Sequence, residues 1–245
     1  KYVDDTTVAE IVPRNALGDA QTAVKVVEDW SKAQKMQLNA DKCKVMVIDY
    51  KRQKHHFTPL LVDGKVLETV ESARILGVTI SCNLKWNNHV NDVIKRANKR
   101  LYFLVLLKRA RVPADDIINF YCTTIRPVLE YCAQIFHHAL PAYLSDDIER
   151  VQRRALSIIS PELSYHDSLD RHGLASLYDR RMKLCTDLFL SVSNPSHKLY
   201  NLLPDRHFSA YNTRHRRVFN MPRFRTDRFK FSFIPAMCAC ANLDF

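Results

Sequence analysis

An α+β fold is what this sequence predicts, and three observations predict it. Short apolar and β-branched runs, broken by turn residues, occupy roughly the first third: Cys43 to Tyr50, Leu60 to Leu67 and Ala73 to Ile80. From Asn87 onward, apolar residues recur at helical spacing instead. Only 4 glycines occur in 245 residues, too few for an all-β architecture crowded with tight turns.

The first stretch to justify is the opening one. Tyr2, Val3, Asp4 and Asp5 are followed by Thr6, Thr7 and Val8, which reads as two short strands with the acidic pair at their turn. Two carboxylates held by a turn suit a hard divalent cation. With Mg²⁺ (or Mn²⁺) such a pair can clamp the attacking and leaving oxygens of a phosphoryl transfer. Asp-Asp is also an ordinary turn pair, and a plain turn accounts for it equally well. The chain starts at Lys1 rather than Met, so it is expected to begin inside a larger protein.

A helix is expected over Asn15 to Gln37, where Leu17, Ala20, Val24, Val27 and Trp30 recur near helical period. Asn39 and Asp41 favour the turn before the next strand, with Lys42 in it. His55 and His56 lie in a basic loop, and adjacent positions of a strand point to opposite faces, so they do not converge on one ion. Asp63-Gly64 supplies a tight turn for a hairpin over 60–67. Gly77, in the 73–80 strand region, fits either a bulge or a place where another backbone approaches closely.

The rest reads as helices. Val90, Ile94, Ala97, Leu101 and Val105 form an apolar stripe, with Lys95, Arg96, Lys99 and Arg100 on the opposite side. Residues 92–111 carry seven Lys/Arg and one acid, and a face of one sign can track a phosphate backbone. A second helix over about 114–138 should be kinked or split by Pro127. A third over about 144–159 has Asp146 and Asp147 in its expected first turn and ends at Pro161; another runs from Leu177 to about Val192. Residues 205–230 hold eight Lys/Arg against two acids, interleaved with Phe208, Tyr211, Phe219, Phe224 and Phe229. That mixture suits single-strand binding, or a tail whose aromatics dock on the helices.

Composition narrows the partners. The formal charge of +11 favours a polyanion, nucleic acid before membrane. No apolar run is long enough to span a membrane, so no membrane partner is expected. An odd number of scattered cysteines, 7, suits a reducing compartment, nucleus or cytoplasm.

Several stretches together resemble a known family. They are Lys1–Asp5, Leu-Gly-Val at Leu76–Val78, Leu84–Val90, Lys99–Leu104, Ile125–Tyr131, Glu149–Leu156 and Ser232–Pro235. Their order is similar to the carboxy-terminal part of jockey-like non-LTR retrotransposon endonuclease–reverse transcriptases. The resemblance implies a partial palm sheet at 1–82, a helical thumb-like region at 83–160 and a helical, then basic and aromatic, extension at 161–245. It implies RNA-directed DNA polymerase chemistry on an RNA template, a DNA primer and deoxynucleotides. Asp4 and Asp5 would hold the metals, and Tyr2 and Val3 would floor the nucleotide and primer site. Lys42 would stand near the triphosphate as a general acid, Gly77 near the primer. A further metal-binding aspartate, the fingers and the endonuclease would belong to a missing amino-terminal part. The chain alone is therefore expected to be inactive, or to be a catalytically dead nucleic-acid-binding remnant.

Overall fold

The computed structural model describes residues 5–13, 16, 18–51, 57–207 and 218–243. Tyr2, Val3, Asp4, His55, His56, Phe208 and Tyr211, all singled out above, lie outside the described residues. The chain divides into two units, Lys1–Lys85 and Trp86–Phe245.

The first unit mixes one helix with short strands. α1 spans Ala20–Ala33, shorter than the 15–37 expected. β1 (Lys44–Val45) pairs in parallel with β4 (Glu68–Thr69), a much shorter strand than 43–50 promised. β2 (Leu61–Val62) and β3 (Lys65–Val66) form the expected hairpin. Asp63 and Gly64 have φ of 47° and 77°, as a hairpin turn with two left-handed positions needs. β5 (Ser72–Ile75) and β6 (Val78–Ser81) form a second hairpin, turned by Leu76 and Gly77 at φ 46° and 85°. Gly77 is thus a turn residue; its missing Cβ is used for φ. α1 docks on the first hairpin through polar contacts. The Gln21 amide accepts from Leu61 N–H at 2.8 Å and donates to Leu61 C=O at 3.0 Å, and Glu28 accepts from Asp63 N–H at 2.6 Å. This occupies backbone groups that a strand edge otherwise leaves open.

The α+β class holds, but the expected single palm sheet does not form. Among the described residues the strands make three separate two-stranded sheets, β1–β4, β2–β3 and β5–β6. β2–β3 and β5–β6 are each closed by a two-residue turn, whereas β1 and β4, two residues each, pair in parallel on either side of the first hairpin in sequence.

The second unit is helical. α2 (Asn87–Arg109) buries His89, Val90, Val93, Ala97, Leu101 and Leu104. It packs on α6 (Ala142–Ile159), whose Leu144, Ile148, Val151, Ala155, Leu156 and Ile159 face the same core. α6 starts at Ala142 rather than 144, so Asp146 and Asp147 fall beyond its first turn. Asp147 instead pairs with Arg150 one turn on, at 2.9 Å.

The second helix is split, as expected, with a widened turn just before Pro127 and a further break at Cys132. α3 (Ala114–Phe120) runs into a π-helical turn at Tyr121–Ile125, and α4 (Arg126–Glu130) follows with Pro127 in its first turn. Proline offers no N–H to the carbonyl four residues back and crowds it, and a widened turn removes the clash. Cys132, at φ 55°, then separates α4 from α5 (Ala133–Phe136).

α7 (Tyr165–Arg171), which was not expected, and α8 (Leu177–Val192), which was, both begin at a capping serine. Ser164 and Ser176 each accept from the N–H three residues on, while Asp167 and Asp179 complete the pairs. After the short α9 (Asp227–Lys230) comes a second unforeseen helix, α10 (Phe233–Leu243). It admits Pro235 in its first turn, where no N–H is needed. Phe219, Met237 and Cys238 pack with Cys185 and Phe189 of α8 in a smaller cluster. Phe219, at least, belongs to a docked tail: its ring meets Phe189 edge-on at 5.9 Å.

Candidate nucleic-acid interface

α2 carries the basic face, and its rotation is fixed from the inside. Val90, Val93, Ala97, Leu101 and Leu104 recur every three or four residues, each 2% exposed or less. Lys108 and Arg109 lie in its last turn, where the helix dipole favours cations. The buried stripe differs by one step from the one expected: Val93 and Leu104 are buried where Ile94 and Val105 were named.

The four basic residues divide into two kinds. Lys95 and Lys99 are exposed and one turn apart. Arg96 is half-buried and its Nε donates to Asp92 C=O at 3.3 Å. The Arg100 guanidinium donates to the Thr124 carbonyl, which lies in the π-helical turn. Arg100 thereby ties α2 to the widened turn while remaining an exposed residue with further N–H groups to donate. Lys108 is anchored in the same way, donating to Ile159 C=O at 2.6 Å.

Sequence reasoning missed the neighbours of Lys95 and Lys99. Tyr102 and Phe103 are 59% and 51% exposed, and Leu106 is 39% exposed. The spacing Lys95, Lys99, Tyr102, Phe103, Leu106 runs i, i+4, i+7, i+8, i+11, one continuous helix face. The rings of Tyr102 and Phe103 meet edge-on with centroids 6.2 Å apart, and Phe103 is braced by Phe120 of α3 at 6.5 Å. Placing the stripe at Val93 and Leu104 was the available signal, since that rotation turns Tyr102 and Phe103 outward.

A polar network lies on the other side of the core. Tyr121 donates to Gln152 at 2.7 Å, and Gln152 donates to the Tyr165 hydroxyl at 2.9 Å and to Ala175 C=O at 3.1 Å. The Tyr165 hydroxyl donates to Glu149, which also accepts from Leu177 and Tyr178 N–H at 3.0 and 3.1 Å. Burial, then the bond to Glu149, raises the Tyr165 pKa well above its usual range. Glu149 caps α8 with its side chain, and the network joins α6, α7 and α8 into one frame. Arg181, fully buried, donates to Ser145 Oγ at 2.8 Å; burial lowers its pKa, and Glu149 and Glu130 oppose that. Tyr121, Gln152, Tyr165 and Glu149 bond to one another and to backbone, which is a structural arrangement, while Arg181 Nε and Nη1 are buried with no hydrogen-bond partner among the described residues.

The residues expected to carry polymerase chemistry are described only in part. Asp4, Tyr2 and Val3 lie outside the described residues, and Asp5 and Lys42 are exposed. Lys42 sits in a turn whose backbone is held by Asn39. Among the described residues no group of three or more His, Cys, Asp or Glu is placed to hold a metal ion. With Asp4 outside the described residues, so are the expected Asp4–Asp5 pair and the Mg²⁺ or Mn²⁺ it would hold.

Residues 86–126 match the family model described as alkylated DNA repair protein alkB homolog 8, N-terminal. The match covers α2, α3 and the π-helical turn, well under half of the chain. No curated protein and no solved structure matches. The matched family is not a reverse transcriptase. This corrects four expectations: the non-LTR retrotransposon family, the RNA-directed DNA polymerase function (intact or as a decayed remnant), the nucleotidyltransferase class and the transposable-element origin. Their physical basis was a two-carboxylate turn and short motifs on ordinary helices, both of which packing and turn formation also select. Among the described residues no helix is long and apolar enough to cross a membrane.

Proposed function

We propose that the second unit is a nucleic-acid-binding helical module, engaging phosphates through Lys95, Arg96, Lys99 and Arg100. The observation that carries this is a predominantly basic, exposed face, with Asp92 its one acid, on a helix whose opposite side is locked in the core. Phosphate neutralisation needs only that: cations held at a fixed spacing, free to shed counterions. The reading is supported by the likeness of residues 86–126 to a domain of a protein described as a DNA repair protein. The expected RNA, DNA and nucleotide partners reduce to a polynucleotide. Phosphate contacts carry no direct sequence information, so binding has little sequence preference.

Fluorescence anisotropy with labelled oligonucleotides tests this. Lys95→Glu with Lys99→Glu is expected to weaken binding to unrelated sequences about equally, by roughly tenfold or more at low salt. Both side chains are exposed, so the melting temperature should change little. Undiminished affinity in a folded double variant would remove α2 as the binding face.

A further inference from the structure

We infer that the α2 face selects unpaired strands over duplex, with Tyr102 and Phe103 as a stacking platform beside the phosphate contacts; the inference rests on the nucleic-acid reading above. A face meant only to be solvated would continue with polar residues after Lys99. It continues instead with two aromatics, each more than half exposed, and then Leu106. Large apolar groups in water are disfavoured, so two side by side on a helix mark a contact surface.

Three features point to the occupant. First, the aromatics stand on the same helix face as Lys95 and Lys99. The axial rise from Lys95 to Tyr102 is about 10 Å at 1.5 Å per residue, so phosphate and base of one strand can be met together. Second, the Phe103 ring is braced on Phe120, while the Tyr102 ring meets only the edge of Phe103 among the ring contacts described. Braced rings present a fixed surface and lose little freedom when a base stacks on them. Third, the charge argues against a second copy of this chain. A net charge of +11 opposes association with a second copy and favours a polyanion.

Duplex bases are closed off by pairing and stacking, so an exposed ring on a helix face meets base edges, sugar or phosphate there but no open base face to stack on. An unpaired strand offers base faces, and stacking of bases on aromatic side chains is sequence-tolerant. The pattern matches the general device of a basic track interleaved with aromatics.

The test uses the full chain with one labelled oligonucleotide of about a dozen nucleotides, single-stranded and annealed to its complement. Single-strand affinity is expected to exceed duplex affinity by about tenfold, since one stacked base contributes that much or more. Tyr102→Ala with Phe103→Ala should abolish the preference and leave the dependence on salt unchanged, because every phosphate-binding cation is kept. Tyr102→Ala alone, away from the Phe120 ring, should show part of the loss if the double variant folds poorly. Tyr102→Phe should restore binding, since stacking needs the ring and not the hydroxyl. Equal affinity for both forms, with the aromatic variants unchanged and the Lys95/Lys99 variants impaired, overturns this inference and leaves the nucleic-acid reading standing. Absence of binding to either form at low salt overturns both. A dimer in solution that the aromatic variants dissolve shows the face to be a self-contact and overturns the inference.

Discussion

Glu149 shows how much a single side chain can carry. It accepts from two backbone N–H groups at the start of α8 and from Tyr165, and it opposes the buried charge of Arg181. Glu149→Ala is expected to destabilise by about 2–4 kcal/mol, because buried donors lose their acceptor and a buried cation its counter-charge. Urea denaturation measures it, and a change under ~0.5 kcal/mol, the size of an ordinary surface substitution, would contradict the assignment. His137 makes a pH-dependent counterpart. It is 5% exposed, and burial, then the charges of Arg181 and His138, push its pKa down to about 4. Its value in the unfolded chain is near 6.5. Stability is therefore full above about pH 6.5 and is lost as pH falls towards 4, since the unfolded state takes up the proton first. Burial also lowers the His138 pKa, in the same direction. The denaturation midpoint should fall over that window, and His137→Asn should flatten the fall. Neither residue was legible in the sequence: Glu149 stood in a motif of unspecified role and His137 in an expected helix, because burial of a polar group is decided by elements far along the chain.

At the scale of elements, legibility followed local chemistry. The Asp63-Gly64 hairpin, the break at Pro127 and the span of α8 were foreseen, because a positive φ, a missing N–H and a helical period are written locally. α7 and α10 were missed, although the Ser164–Asp167 pair was a readable cap and the Phe233–Leu243 run an apolar one. The stripe of α2 was displaced by one step because the helix is apolar on more than one side, and only packing on α6 chooses among the rotations. The same element holds residues of opposite use. Arg100 reaches the Thr124 carbonyl in the widened turn, whereas Lys99 reaches no such anchor among the hydrogen bonds described. Arg100→Ala should therefore lower stability by about 1 kcal/mol as well as weaken binding, while Lys99→Ala should weaken binding alone. Thermal melts and titrations on the two variants separate these outcomes, and equal melting temperatures would contradict the anchoring role.

Across the whole molecule the two units differ in how they hold together. Among the described residues, the first unit buries the apolar side chains of Val62, Leu67 and Val78, and relies on polar docking and turns. The second unit has a continuous core across α2 to α8 and a smaller cluster around α10. A face for phosphates is well placed on the unit with the continuous core, since cations held at fixed spacing lose less freedom on binding. The broad α+β class was readable from composition and punctuation; of the motifs that suggested a reverse transcriptase, those on α2, α4 and α6 are accounted for by packing and Leu76–Val78 by a hairpin turn, while Lys1–Asp4 lie outside the described residues. The excess of positive charge was readable throughout, and it is what the functional reading rests on. The most direct measurement is the salt dependence of affinity for a single-stranded oligonucleotide, for the unaltered chain and for Lys95→Ala with Lys99→Ala. Log affinity should fall linearly with log salt, and the double variant should have a slope shallower by about 1.4, from roughly 0.7 for each phosphate that a lysine no longer neutralises on a single strand. An identical slope in the two proteins, or no binding at low salt by either, would contradict the account.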